Sequence, residues 1–302
     1  MIHFLYNCYL KKENIYQGRF SRSIYWQLFK LLKFILPIYY SKLSTKFLRV
    51  SDSSTVVVSL TSYGTRIQTV HLAIKSILNQ SNPPKMVVLW LSKDEFKNRE
   101  SDLPTQLLEL KNFGLKIEFC EDIKSHKKYF YAFKKYKGFK IVTVDDDVFY
   151  PINFIKYLEI KSIEYANCII ANRVREVSYE DKLLIPYRKW KINKYENTFP
   201  TKKLLPIGVG GVLYKPAFFS ELLYDLDSIE SICLHADDIW LKANSLIKGV
   251  NIVFTKKYFN DFIEIKGSQT ISLYTSNVFS MDNDKQINLV FARFGITDEM
   301  FN

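Results

Sequence analysis

Hydrophobic and polar positions along this chain alternate between two periods. Thr55–Leu60, Lys85–Leu91, Leu115–Cys120 and Phe139–Val144 are short runs rich in Val, Ile and Leu, with the length and make-up of buried strands. Between them the spacing is helical. Gln68–Asn79 sets Val70, Ile74, Ile77 and Leu78 on one side, and Leu103–Asn112 and Lys128–Tyr136 predict two further helices. Strands separated by helical stretches imply βαβ units and a mainly parallel sheet. After residue 151 the pattern loosens: a helix over Asn153–Ala166, a strand over Asn167–Ala171, a Gly-rich run Pro206–Tyr214, a helix over Asp237–Lys248 and a last strand Ile252–Phe254. Residues 172–206 are polar and aromatic with no clear period. A connection that long reads as a functional loop or insertion.

Ahead of this alternation, residues 24–40 mix aromatic and aliphatic side chains with Lys30 and Lys33, and Leu28, Leu31, Leu32 and Ile35 fall at helical spacing. An interfacial helix has this make-up, its apolar face entering the headgroup boundary while lysines meet anionic lipid. A helix packed on the rest of the chain would show the same spacing. Charge favours the membrane surface. The formal net charge is +12, and residues 1–50 hold nine Lys and Arg against Glu13 alone, a net +8. Nucleic-acid binding would need that charge along one face of the fold, so a nucleic-acid partner is not expected. Ser51-Asp52-Ser53-Ser54 then makes a polar break. Two units follow: a basic aromatic segment over 1–50 and a larger domain over 51–302.

With 302 residues and 47% hydrophobic content, the chain can bury one large core or two modest ones. Cys8, Cys120, Cys168 and Cys233 lie far apart without C-x-x-C spacing, as expected of reduced core thiols in a cytoplasmic protein. No run reaches the roughly 18–20 apolar residues of a membrane span. Residues 1–10 lack a basic start and a small-residue cleavage site, so no signal peptide is expected. A cytoplasmic protein, peripheral at the inner face of the cell membrane, is the expected location.

The sharpest change of character is at Ile141-Val142-Thr143-Val144-Asp145-Asp146-Asp147. A buried strand runs into three carboxylates at its carboxyl end, where open α/β sheets place their ligands. Adjacent acids repel, and a hard cation such as Mg2+ or Mn2+ neutralises them. A solvated turn would account for aspartates too, but Val148, Phe149, Tyr150 and Pro151 follow instead of Gly or Asn. In extended chain Asp145 and Asp147 share one side and Asp146 takes the other, making Asp145 and Asp147 the better metal pair.

His235-Ala236-Asp237-Asp238-Ile239-Trp240 opens a predicted helix. Capping explains one aspartate; two, framed by His and Ile-Trp, suggest a general base and a partner. Gly208-Val209-Gly210-Gly211-Val212-Leu213-Tyr214 would let backbone approach a ligand, with Gly210 and Gly211 as candidates; it is neither a dinucleotide fingerprint nor a P-loop. Thr61, Tyr63 and Arg66 follow the first strand and Asp122 the third, so they share an edge with the acid triplet. Ring stacking by Tyr63, ribose hydrogen bonds from Asp122 and charge from Arg66, Lys127 and Lys128 would suit a nucleoside diphosphate. A solvated surface is an equally good account of the lysines.

Taken together, Val58-Ser59-Leu60-Thr61-Ser62-Tyr63, Val88-Leu89-Trp90-Leu91-Ser92, Asp145-Asp146-Asp147, Gly208 to Tyr214 and Ala236-Asp237-Asp238-Ile239-Trp240 resemble a GT-A glycosyltransferase. More narrowly, they resemble the bacterial capsule and lipopolysaccharide sugar transferases related to glycosyltransferase family 2. The resemblance spans residues 55–295 and includes the tail Lys266-Gly267-Ser268-Gln269-Thr270-Ile271-Ser272-Leu273. It implies an α/β GT-A fold, with a nucleotide-binding half over 51–150 and an acceptor-binding half over 151–302. It implies a nucleotide-sugar donor, a UDP-sugar first, and a saccharide or lipid-linked acceptor. Asp145 and Asp147 would hold Mn2+ or Mg2+ on the diphosphate, with Asp146 beside it; Asp238 would be the base of an inverting attack and Asp237 would place the acceptor. Many GT-A enzymes add a late histidine ligand, but no histidine follows His235 here, which leaves that position to water. A retaining, exostosin-like transferase, an NDP-sugar nucleotidyltransferase and a non-enzymatic basic membrane-binding protein stay open as alternatives.

Overall fold

Val- and Ile-rich runs bury both faces of a strand, and four of them lie side by side: β1 (Val56–Thr61), β2 (Met86–Ser92), β3 (Leu115–Cys120) and β4 (Lys140–Thr143). The computed structural model describes residues 1–11, 19–193, 199–266 and 282–301. Further along come β5 (Cys168–Ala171), β6 (Val174–Glu176), β7 (Tyr179–Glu180), β8 (Leu183–Leu184), β9 (Leu204–Pro206), β10 (Val212–Tyr214) and β11 (Asn251–Phe254). The main sheet has seven strands in the order β11-β5-β10-β4-β1-β2-β3. Its neighbours run parallel except β10, which is antiparallel to both β4 and β5.

The helices are α1 (Ile2–Lys11), α2 (Arg19–Ser41), α3 (Val70–Leu78), α4 (Thr105–Leu108), α5 (Lys127–Lys135), α6 (Phe154–Glu164), α7 (Leu226–Ile232), α8 (Asp237–Ile247) and α9 (Asp282–Phe294). Side chains of β1 alternate between two cores. Val56, Val58 and Leu60 join α1, α2, α3 and α6 on one face, and Val57 joins α5, α8 and α9 on the other.

Two elements depart from their sequence expectation. The helix expected over Leu103–Asn112 is one turn of α4 followed by a 3-10 turn, Glu109–Phe113, because the chain must leave through Gly114 at φ +101°. Val50 packs where a side chain on Gly114 would sit. Residues 172–206 are not structureless: β6 pairs with β9 and β7 with β8. The helix expected over 24–40 packs on the domain, burying Leu32, Leu36 and Tyr40, with Leu28 and Ile35 half-buried. Its other side leaves Ile24, Leu31, Phe34 and Ile38 exposed.

Candidate active site at the carboxyl ends of the strands

A cavity of about 730 Å³ opens where β1, β3 and β4 end, and the acid triplet forms part of its wall. The strand stops at Thr143 and the chain bends at Asp146 and Asp147, so the alternation expected of extended chain does not hold. Asp146, 3% exposed, accepts from Ser62 Oγ at 2.6 Å and from Arg66 Nη1 at 2.9 Å. Asp147 turns toward the same guanidinium, 3.1 Å away. Burial and the neighbouring Asp146 and Asp145 push the Asp147 carboxyl up to about 7. Burial also raises Asp146, against the opposing pull of Arg66 and Ser62.

Asp145 faces the other way. Its carboxylate accepts from Lys128 Nζ at 2.8 Å, and the same ammonium lies 3.0 Å from Asp237. Lys128 is buried at the start of α5, yet Asp145, Asp237 and Asp238 hold it protonated well above its ordinary value although burial opposes the charge. One lysine therefore joins the triplet at the end of β4 to the pair at the start of α8. Burial and the Asp237 charge push Asp238 up to about 8. Burial works against the charge on Asp237 as well, but Lys128 and the neighbouring His126 outweigh it and its pKa falls. The surroundings thus pull the pKa values of two adjacent carboxyls in opposite directions. His126 bonds to Tyr129 Oη and the Cys233 carbonyl, each at 2.8 Å, and burial lowers it to about 4.

Thr61, Tyr63, Arg66, Asp122, Lys127, Lys128 and all three triplet acids line the cavity, together with Asp237 and Asp238. Tyr63 offers its ring face, with the Arg66 guanidinium 5.1 Å from the centroid. Burial disfavours the Asp122 charge, but hydrogen bonds from Lys124 and Lys127 bring its pKa down to about 2. Lys127 is thereby tied to Asp122, and Thr61 Oγ1 donates to the Trp90 carbonyl at 2.8 Å.

The glycines need correcting. Gly210 and Gly211 are not among the cavity-lining residues; a Cβ at Gly210 would strike the Arg173 backbone, and one at Gly211 the Phe154 ring, with φ already +77°. Tight packing, not a ligand, accounts for them. Gly208, which the sequence did not single out as a candidate, sits directly against the second acid cluster. Its N–H donates to Asp238 Oδ2 at 3.0 Å, and a Cβ there would come within 2.9 Å of Lys128 Nζ. Arg173, Arg175 and Tyr187, from the stretch that showed no period, also line the cavity and had no motif to mark them. Of the tail noted in the sequence, residues from Gly267 to Leu273 lie outside those described.

Among the described residues no group of three acid, His or Cys side chains is arranged to hold a metal. The donor chemistry suits a hard dication, although Asp145 turns to Lys128 and Asp147 to Arg66. Asp145 and Asp147 are hard oxygen donors in the cavity wall, and burial first, then the charges of Asp146 and Asp145, raises the Asp147 carboxyl. Mg2+ in particular is commonly held by one or two carboxylates plus substrate phosphates.

No protein-family model and no curated protein matches the chain. Among solved structures it is similar to a mannosyltransferase from Pyrobaculum calidifontis in complex with GDP-Man and Mn2+, at TM-score 0.52 and 12% identity over 90% of this chain and 76% of that one. GalNAc-T7 with UDP, GalNAc and Mn2+ follows at TM-score 0.47 and 12% identity, covering 81% of this chain and 51% of that one, too low to carry an argument. The first likeness shows the fold: a mixed α/β GT-A sheet flanked by helices.

Proposed function

We propose that this chain is a metal-dependent glycosyltransferase that moves a sugar from a nucleotide-diphosphate donor to a saccharide or lipid-linked acceptor, in the synthesis of a capsule or lipopolysaccharide. One observation carries the reading: Lys128 ties Asp145 to Asp237 inside a single cavity, so the two acid clusters belong to one site. Tyr63 would stack on the base, while Arg66 and Lys128 stand near the diphosphate. The cation, Mn2+ or Mg2+ held by Asp145 and Asp147, would supply charge to stabilise the departing nucleoside diphosphate. Asp238 would take the proton of the acceptor hydroxyl in an inverting attack, and ionised Asp237 would keep Lys128 and the acceptor in place. Gly208 N–H holds the Asp238 carboxyl in one orientation. Nucleotidyl transfer has less support, because the Thr61–Arg66 turn carries one Gly and one Arg only.

Hydrolysis and transfer with UDP-, GDP- and CMP-sugars in Mn2+ test the reading. Asp147→Ala is expected to lower turnover by about 10²-fold or more while the protein stays folded. Full activity in that variant would remove the metal assignment, and the product's anomeric configuration by NMR decides inversion against retention. The exposed Ile24, Leu31, Phe34 and Ile38 on α2, with Lys30 alongside, support peripheral contact with an anionic membrane surface at the cytoplasmic face.

A further inference from the structure

The cavity contains one class of cation that the two acid clusters leave unexplained. Arg66 is paired with Asp146 and Asp147, Lys127 with Asp122, Lys128 with Asp145 and Asp237, and Arg173 with Asp261. Arg175 is different. It is 4% exposed and lines the cavity from β6. Its Nη1 donates to the Tyr187 and Trp190 carbonyls at 3.3 and 3.4 Å, and its guanidinium lies 4.3 Å from the Tyr187 ring centroid. Its Nε is buried without a hydrogen bond, and no carboxylate among the described residues lies within ion-pair distance. A buried guanidinium with neutral partners alone keeps much of its desolvation cost. An anion entering the cavity would remove that cost through a charge-assisted hydrogen bond.

We propose that Arg175 anchors an anion subsite that receives a phosphate or carboxylate carried by the acceptor. The assignment to the acceptor rests on the transferase reading above. Arg175 belongs to the β6–β9 pair that leads into Gly208, whereas Arg66, Lys127 and Lys128 already supply cations at the strand ends. Stacking on Tyr187 fixes the plane of the guanidinium and leaves its edge as the recognition element.

Fluorescence titration of the full chain at constant ionic strength tests this with methyl glucoside, methyl glucuronide, a glucose phosphate and inorganic phosphate, each with and without UDP and Mn2+. The wild type is expected to bind the glucuronide or the sugar phosphate about tenfold or more tighter than the neutral glucoside, as a hydrogen bond to a charged group would give. Arg175→Gln is expected to abolish that preference while UDP binding in Mn2+ stays unchanged. Should Arg175→Gln fail to fold, the wild-type comparison and Arg175→Lys, expected to lose several-fold toward the anionic sugars, keep the test decisive. Equal wild-type binding of neutral and anionic sugars overturns the proposal, as does a preserved preference in folded Arg175→Gln or a matching loss of UDP affinity. Inorganic phosphate binding as tightly as the sugar phosphate overturns the acceptor assignment. Failure of the wild type to bind UDP or GDP would count against the transferase reading instead, and the sugar preference is read independently of it.

Discussion

Asp237 and Asp238 are neighbours whose environments pull their pKa values apart, Asp237 down beside Lys128 and Asp238 up to about 8. A base must be ionised to work, so turnover is expected to rise with pH through about 8 and to level off above it. Asp238→Asn should lose about 10²–10⁴-fold in kcat and lose this limb of the profile. A flat profile in the wild type would count against Asp238 as the base. The same shift has a cost in stability. A carboxyl whose folded pKa is raised stabilises fully below its unfolded value of 3.8, and that contribution disappears as pH rises through about 8. Asp238→Asn should therefore melt above the wild type at pH 9, with the gap closing toward pH 4, measured by calorimetry across that range. Gly208 makes a second test at this scale. Its Cβ position is 2.9 Å from Lys128 Nζ and 3.2 Å from Asp238 Oδ1, so Gly208→Ala must displace the ammonium that joins the two acid clusters. Misplacement on this scale costs on the order of 10²-fold in kcat; unchanged kcat would mean the bridge has no part in turnover.

The acid loop between β4 and α6 lies beyond the sheet, and other elements hold it. Ile265 N–H donates to the Asp147 carbonyl at 2.7 Å, and Phe149 N–H to the Ile263 carbonyl at 2.9 Å. Tyr6 of α1 completes the clamp: its hydroxyl donates to the Phe149 carbonyl at 2.6 Å and accepts from Ile263 N–H at 3.0 Å. Tyr6→Phe leaves two buried backbone groups without that partner, and urea unfolding should show a loss of about 1–3 kcal/mol. Mn2+ activation should then need more metal, because the loop carrying Asp145 and Asp147 is less well held; an unchanged Mn2+ curve would separate the clamp from the site. None of this clamp was visible in the sequence, since it joins residues far apart in the chain. The strands were legible because their apolar runs are continuous, and the two acid clusters because carboxylates stand out against apolar flanks. Lys128 was legible as a cation near a diphosphate but not as a bridge, which exists because α5 and α8 bring their first turns together. Arg175 and Tyr187 lay in a stretch whose short strands are specified by pairing with each other, a partnership that no local period reports.

At the scale of the whole molecule, α2 has two unlike sides. Leu32, Leu36 and Tyr40 are part of the core, with the Tyr40 ring 5.2 Å from that of Phe149, next to the acid loop. The other side of α2 places Ile24, Leu31, Phe34 and Ile38 in solvent, with Phe34 68% exposed. Lys33 on the same helix lies 3.8 Å from Glu264, a residue of the cavity wall. A surface that enters a lipid headgroup layer would then stand beside the cavity, a placement suited to an acceptor held in that layer. Deleting residues 1–50 cannot test this, because it removes core side chains along with the exposed ones. Leu31→Glu with Phe34→Glu leaves the buried face intact and adds charge to the outer one. Each exposed apolar side chain that leaves water is worth about 1.5–3 kcal/mol, so losing both should cut co-sedimentation with phosphatidylglycerol vesicles by roughly tenfold or more, with the melting temperature held. Hydrolysis of the nucleotide-sugar donor should be unaffected in the double variant, while transfer to an acceptor embedded in vesicles falls. Undiminished sedimentation would show that α2 serves the core alone.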